Sequence, residues 1–300
     1  MEYERYEFTQ PLYGGVNVLR IGDTLVDTGH VDSICRDGIC EALRGPLAGV
    51  ERVVHTHAHI DHVGGSQTID ALAELPHVVP ASQPEILHGY AAYVREAREE
   101  MTRLLAGFET SGENWDVYFP IRDDYAEEQI EIERAVADGE TVELGGDEFE
   151  AISTPGHADP HLAFWHEGSR TLLSGDLVDR DGLFQYGPLF GDVGAYKRSL
   201  ERIRALEPDV LVPMHGPPMA DPSARVEASL ENATRTESRL AAFLDGRRSC
   251  YAREFVTDVL GIDDTRASFV TLVVYEYLRH LETKGLVDVE VTDAGILARK

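Results

Sequence analysis

The segment His57-Ala58-His59-Ile60-Asp61-His62 packs three imidazoles and a carboxylate into six residues. Single candidate partners follow at His157, Asp176 and His215, each next to a glycine. Five histidines and two aspartates without a thiolate suit Zn²⁺, Mn²⁺ or Fe, and two ions fit that inventory. A site short of protein ligands keeps room for a reactive water, so the expected chemistry is hydrolysis. Any one of these histidines, taken alone, reads equally as a hydrogen-bonded packing residue. Four ligand-type residues at this spacing do not.

These side chains need elements to aim them. Residues 52–55 read as a strand, and the chain leaving it presents alternate residues on one side, so a tight bend brings His57 and His59 to one ion. Asp61 and His62 then face a neighbouring position, near the start of a helix suggested over 66–75. Gly64 and Gly65 are expected to permit close approach and unusual dihedrals in the loop that follows. Thr154-Pro155-Gly156-His157, Ser174-Gly175-Asp176 and Pro213-Met214-His215-Gly216 each end a strand-like run. Individually such turns are common. Together, in this order, they put the unusual polar residues on loops at one rim, where sites are built.

The remaining pattern is α/β. Strands are expected at 16–21, 24–27, 141–144, 148–153, 162–166, 171–174 and 210–213, and a helix at 33–44. From 84 to about 136 the pattern becomes helical and reads as an insertion between strands. It is either a packing helix pair or a lid, which Trp115, Tyr118 and Phe119 would line. After Pro222 helices are expected at 223–244, 252–260 and 268–283. Two strands at 287–291 and 296–299 then flank Thr292-Asp293-Ala294-Gly295, a hairpin turn. This suggests a catalytic domain over 1–221 and a winged-helix-like domain over 222–300.

A chain of 300 residues that is 43% hydrophobic can bury a large core. Its net charge of −27 argues against nucleic acid or an anionic membrane as partner, because like charges repel. The 54 acidic residues are spread along the whole length and lysine occurs only at Lys197, Lys284 and Lys300, which points to salt adaptation (a halophilic protein) rather than a partner-specific patch. Cys35, Cys40 and Cys250 match neither a zinc-ribbon spacing nor a disulfide framework, so a reducing cytoplasm is expected. No apolar run approaches the roughly 20 residues of a membrane span, and no basic, apolar leader opens the chain.

The four motifs together resemble the metallo-β-lactamase fold superfamily of hydrolases, over approximately residues 16–217. The resemblance implies a four-layer αββα sandwich. It also implies that His57, His59 and His157 hold a first ion, that Asp61, His62 and His215 hold a second, and that Asp176 bridges both. Asp27, in Asp27-Thr28-Gly29, is similar to the family's early strand-end motif, whose carboxylate supports the site from behind; a simple turn aspartate is the other reading. His161 is similar to members with a winged-helix tail, and would either donate to a developing oxyanion or be a packed strand residue. Met214 stands where many relatives have glycine.

The expectation is a hydrolase with two Zn²⁺ (or Fe, or Mn), whose metal-bridging hydroxide attacks a small ester, thioester or lactone, with Asp61 orienting the nucleophile or accepting its proton. One alternative is a single-strand endoribonuclease or phosphodiesterase. The tail mixes Asp258, Asp263, Asp264, Glu276 and Glu282 with Arg266, Arg279 and Lys284 and has no basic face, which disfavours nucleic acid. Another is an iron-dependent redox enzyme; di-iron relatives resemble a pattern with glutamate where His59 sits, and mononuclear ones do not need both ligand sets. The third is a metal-sensing winged-helix protein that binds DNA, although such tails in relatives look more like packing or dimer elements, which leaves a homodimer open.

Overall fold

The computed structural model describes residues 1–11, 14–106, 120–178, 191–264 and 266–300. Trp115, Tyr118 and Phe119, the residues assigned to a lid, lie outside the described residues.

Two six-stranded sheets form the centre. The first runs β1 (Glu4–Gln10), β2 (Gly14–Ile21), β3 (Thr24–Val26), β4 (Arg52–Val54), β5 (His77–Pro80), β6 (Ile132–Val136) in spatial order. The second contains β7 (Thr141–Leu144), β8 (Asp147–Ser153), β9 (Leu162–His166), β10 (Thr171–Gly175), β11 (Val210–Pro213) and β12 (Met219–Ala220), ordered β12-β11-β10-β9-β8-β7. Strand alternation explains the layering, because successive side chains leave a strand on opposite faces. Leu19, Val26 and Val54 of the first sheet meet Phe164, Leu173 and Val212 of the second in one core between the sheets. Their neighbours point the other way: Val18, Leu25 and Val53 pack under helix α1 (Ser33–Ala42). On the far side, Ala163, Leu172 and Leu211 pack against Tyr196, Leu200 and Ile203. A fully buried Leu or Phe stabilises by about 1.5–3 kcal/mol, so both faces of both sheets are committed and the layers are helix, sheet, sheet, helix. Met214 is buried in the core between the sheets.

Among the described residues the other α-helices are α2 (Ile60–Thr68), α3 (Asp70–Ala73), α4 (Pro84–His88), α5 (Tyr90–Leu104) and, from Val193 to Leu206, α6, which carries Tyr196, Leu200 and Ile203. They are followed by α7 (Ser223–Leu244), α8 (Ala252–Asp258) and α9 (Ala267–Thr283). Among the described residues, the region read as a helical insertion is helical over α4 and α5. Its last residues form the edge strand β6, parallel to β5, with Glu133 and Arg134 exposed and therefore no apolar run to betray a strand. Helix α5 packs at both ends: Tyr90 and Val94 join a core with Ile60 and Val63 of α2, while Met101 and Leu104 join Leu240, Phe255 and Val274 of the C-terminal unit. This placement makes α5 a packing helix.

The C-terminal unit adds a strand not expected from the sequence, β13 (Ser249–Tyr251), between α7 and α8. It pairs with β15 (Gly295–Arg299), which pairs in turn with β14 (Asp288–Thr292), giving the order β13-β15-β14. Among the described residues no helix is long and apolar enough to cross a membrane.

Candidate metal centre

The sheets deliver their polar residues to one edge. At the end of β3, Asp27 takes a left-handed backbone, φ 57°, a strained state for a residue with a side chain that is tolerated best by Asn, Asp and Gly. The chain leaving β4 is pinned across the sheet boundary: His57 bridges His161, and Leu162 N–H donates to the Thr56 carbonyl at 2.9 Å. His59 is the N-cap of α2, and Asp61 lies in that helix's first turn, where the helix dipole favours a carboxylate. Gly65 sits within the helix rather than in a loop with unusual dihedrals; a Cβ there would lie 2.1 Å from the Thr28 carbonyl, so its need is close approach. His157, Asp176 and His215 arrive from the turns after β8, β10 and β11.

All seven expected ligands converge. The ligand atoms of His57, His59 and His157 lie within 4.8 Å of one another, as do those of His57, His62 and Asp176, and those of Asp61, His62 and His215. One oxygen of Asp176, Oδ2, lies 3.3 Å from His62 Nε2, 3.3 Å from His215 Nε2 and 3.6 Å from His157 Nε2. Asp61 offers Oδ1 to His62 Nε2 at 3.5 Å and Oδ2 to His215 Nε2 at 3.4 Å.

The donor set fits cations by a second observation. His57 Nε2, His62 Nε2 and Asp176 Oδ1 are buried without a hydrogen-bond partner among the described residues, a costly arrangement unless something electropositive is held there. The opposite ring nitrogens explain why these atoms point inward. Asp27 accepts from Thr56 N–H at 2.8 Å, from Thr56 Oγ1–H at 2.7 Å and from His62 Nδ1–H at 2.9 Å. Thr56 Oγ1, having given its proton to Asp27, accepts His57 Nδ1–H at 2.9 Å. His215 Nδ1–H donates to the Gly15 carbonyl at 2.7 Å. Each of these imidazoles therefore turns an Nε2 lone pair to the centre, the arrangement that orients histidine ligands.

His161 is placed behind the candidate ligands. Its Nε2 accepts Asp176 N–H at 3.0 Å, so the ring proton is on Nδ1 and goes to Thr154 Oγ1 at 2.7 Å. With both nitrogens engaged it has no N–H for a substrate, and its geometry is that of the packed residue. Several contributors were not picked out from the sequence. Gln10 Nε2 donates to Asp61 Oδ2 at 3.3 Å, and Tyr90 Oη to the carbonyl of Ala58, between two candidate ligands, at 3.2 Å. Buried His55 approaches Asp27 at 3.7 Å and stacks on His77, their ring centroids 5.3 Å apart. A buried polar residue directly after the apolar pair Val53-Val54 is the signal His55 offers.

The electrostatics divide the histidines. Burial, reinforced by neighbouring imidazoles, pushes His57 and His157 well below the usual histidine range and His59 down to about 4. Burial also opposes charge on His62 and His215, but the carboxylates of Asp176 and Asp61 outweigh it; His62 is raised well above its ordinary value and His215 to about 10. Burial likewise works against the ionised forms of Asp61 and Asp176, and the same two imidazoles reverse it, lowering both. The carboxylates thus favour the protonated imidazoles of His62 and His215 in the metal-free protein, and a bound metal must displace those protons. Uptake of a divalent metal is expected to release protons, measured by calorimetry in buffers of different ionisation enthalpy. Affinity should therefore rise with pH towards the His215 value, and uptake without proton release would contradict the assignment.

A fold of two sheets between helices, with histidines and aspartates gathered on loops and on the first turn of α2 at the sheet edge, is that of a metal-dependent hydrolase of the metallo-β-lactamase type. The profile of the Metallo-beta-lactamase superfamily matches residues 14–215, and the chain belongs to that superfamily. It is 25% identical over 236 residues to the Probable metallo-hydrolase YqjP of Bacillus subtilis, covering 74% of this chain and 72% of the relative. It is 29% identical over 164 residues to a Hydroxyacylglutathione hydrolase of Rhodospirillum rubrum, covering 54% of this chain and 46% of the relative, less than half of that protein's length. An Atrochrysone carboxyl ACP thioesterase of Passalora fulva is 23% identical over 295 residues, covering 93% and 74%. The crystal structure of a metallo-beta-lactamase family protein, TTHA1429 from Thermus thermophilus, shares the fold with a TM-score of 0.72 at 24% identity, over 99% of this chain and 98% of that one. The likeness therefore extends through the C-terminal unit.

Proposed function

We propose that the chain is a dinuclear zinc hydrolase acting on a small ester, thioester or lactone. The observation that carries this reading is the position of Asp176 Oδ2, within 3.6 Å of imidazole nitrogens belonging to both ligand sets, as a carboxylate shared between two ions would be. His57, His59 and His157 would hold one ion and Asp61, His62 and His215 the other. Bound there, the ions supply a water that ionises near neutral pH and a Lewis acid for the substrate oxygen.

The protein's own groups do the rest. Asp61 lies against His62 and His215 with both oxygens, and can orient the attacking water or take its proton. Asp27 and the Gly15 carbonyl keep His62 and His215 in the tautomer that ligates. His161 fixes the backbone of Asp176. Relatives named as a hydroxyacylglutathione hydrolase and as a thioesterase favour an acyl substrate over a phosphodiester. We read residues 222–300 as a winged-helix-like unit, supported by the succession α7, β13, α8, α9, β14, β15 and the sheet order β13-β15-β14. Its packing on α5 suits a supporting role rather than DNA recognition.

The test is a screen of the zinc-loaded protein against thioesters, lactones, simple esters, phosphodiesters and labelled RNA at high salt. Turnover of one acyl class, with two zinc ions per chain by metal analysis, is the expected result. Cleavage of RNA alone, or one iron per chain, would replace this reading with the nuclease or the redox alternative.

A further inference from the structure

Strand β2 is paired with β1 along its length, but β3 covers its other edge only from Leu19 to Ile21. The uncovered edge is met by the turn that carries His215, from the second sheet. There one residue, Asn17, satisfies three carbonyls of that turn. Its backbone N–H donates to Met214 O at 2.7 Å, and its side-chain Nδ2 donates to Pro213 O at 2.8 Å and Gly216 O at 2.7 Å. Two positions earlier the Gly15 carbonyl takes the Nδ1 proton of His215 itself. Asn17 is fully buried, in the middle of the apolar run Val16-Asn17-Val18.

The amide has its orientation imposed. Arg5 Nη1 donates to Asn17 Oδ1 at 2.8 Å, and is itself held by Glu7 Oε2 at 2.8 Å. A guanidinium can only donate, so the amide oxygen must face Arg5 and the NH₂ must face the two carbonyls. Glu7, Arg5 and Asn17 thus form a line of hydrogen bonds from the exposed edge of the first sheet to the backbone on either side of a candidate ligand. An apolar residue at position 17 would fill the sheet as well. It would take the Asn17 donor from the buried Pro213 carbonyl and from the half-buried Gly216 carbonyl, and with them two of the bonds that hold the turn.

We propose that Asn17, oriented by Arg5, is a positioning residue for the Asp61/His62/His215 ion, setting that ion's affinity without touching it. The inference rests on the two-ion reading of the site. It distinguishes the two ion positions, because the relay reaches the His215 turn and none of its bonds go to His57, His59 or His157.

The experiment is a zinc titration of the full chain against a competing chelator, comparing the native protein with Asn17→Asp, Arg5→Met and His215→Ala. Asn17→Asp keeps the shape and removes both amide donors. It is expected to weaken the second ion by roughly 10–100-fold, the usual consequence of removing a group that orients a ligand, while the first ion binds as in the native protein. High zinc should then restore turnover, as it would not for a protein that had lost its fold. Arg5→Met is expected to weaken the same step by a smaller factor, and decides the matter should Asn17→Asp not fold. His215→Ala marks which step belongs to the second ion. If the native protein takes up only one ion, the two-ion reading fails before the relay is reached. If it takes up two, and the variants leave the second step unchanged or weaken both steps alike, the relay is overturned.

Discussion

Replacing Asp176 by alanine is expected to lower kcat/KM by at least about 10³-fold, a loss of roughly 4 kcal/mol of transition-state stabilisation, and to lower zinc content. Among the described residues, Asp176 is the carboxylate that faces His62, His215 and His157 together. Removing its carboxylate takes away an anion that, with Asp61, offsets the charge on His62 and His215, and the group proposed to be common to both ligand sets. Proteins with one ion or none should therefore result, with the fold intact, because the β10 backbone and His161 remain. Metal analysis, circular dichroism and turnover with whichever acyl substrate the screen identifies would check it. A variant that kept both ions and near-native turnover would remove Asp176 from the centre.

The second large effect is expected from Asp27→Asn, a residue that touches no ion. The carboxylate is wholly buried; burial disfavours its charge, yet His62 and His55 beside it keep it ionised, with its pKa lowered. Asparagine tolerates the left-handed backbone at this position, so the substitution tests the hydrogen bonds and not the strain. Its NH₂ would face donors: Thr56 N–H on one side, or Thr56 Oγ1–H and His62 Nδ1–H on the other. His62 would lose the partner that turns Nε2 forward, and zinc affinity should fall roughly 10–100-fold. Leaving a buried donor unsatisfied should also cost about 1–3 kcal/mol of stability. Competition titration reads the first effect and thermal melting the second. Affinity within about twofold of native would return Asp27 to being a turn aspartate.

The site was legible where its parts are local. His57, His59, Asp61 and His62 sit within one strand exit and one helical turn, so their spacing alone states what they can do. The central strands were legible for a related reason: β9 and β11 are apolar runs between turns, and their expected and observed limits coincide at 162–166 and 210–213. The edge strand β7 was legible at 141–144 through the alternation of Thr141 and Glu143 with Val142 and Leu144. Other strands at the margins were not. β1 places Arg5 and Glu7 on one face and Glu4 beside Tyr6 and Phe8 on the other, so its Tyr6 and Phe8 alternation is a faint signal. β13 is three residues long and is a strand only because β15 lies beside it. Edge and very short strands owe their state to a partner more than to their own composition.

From the chain alone came the candidate ligands, their order and the α/β framework, because those depend on residue type and on spacings of a few positions. The tertiary structure decided which nitrogen of each imidazole faces inward and which neutral groups hold it there. Gly15 and His215 are 200 positions apart, and Asn17 and Gly216 are 199 apart. A hydrogen bond is set by direction and by a distance of about 3 Å, and nothing in the order of residues records either until two sheets have packed face to face.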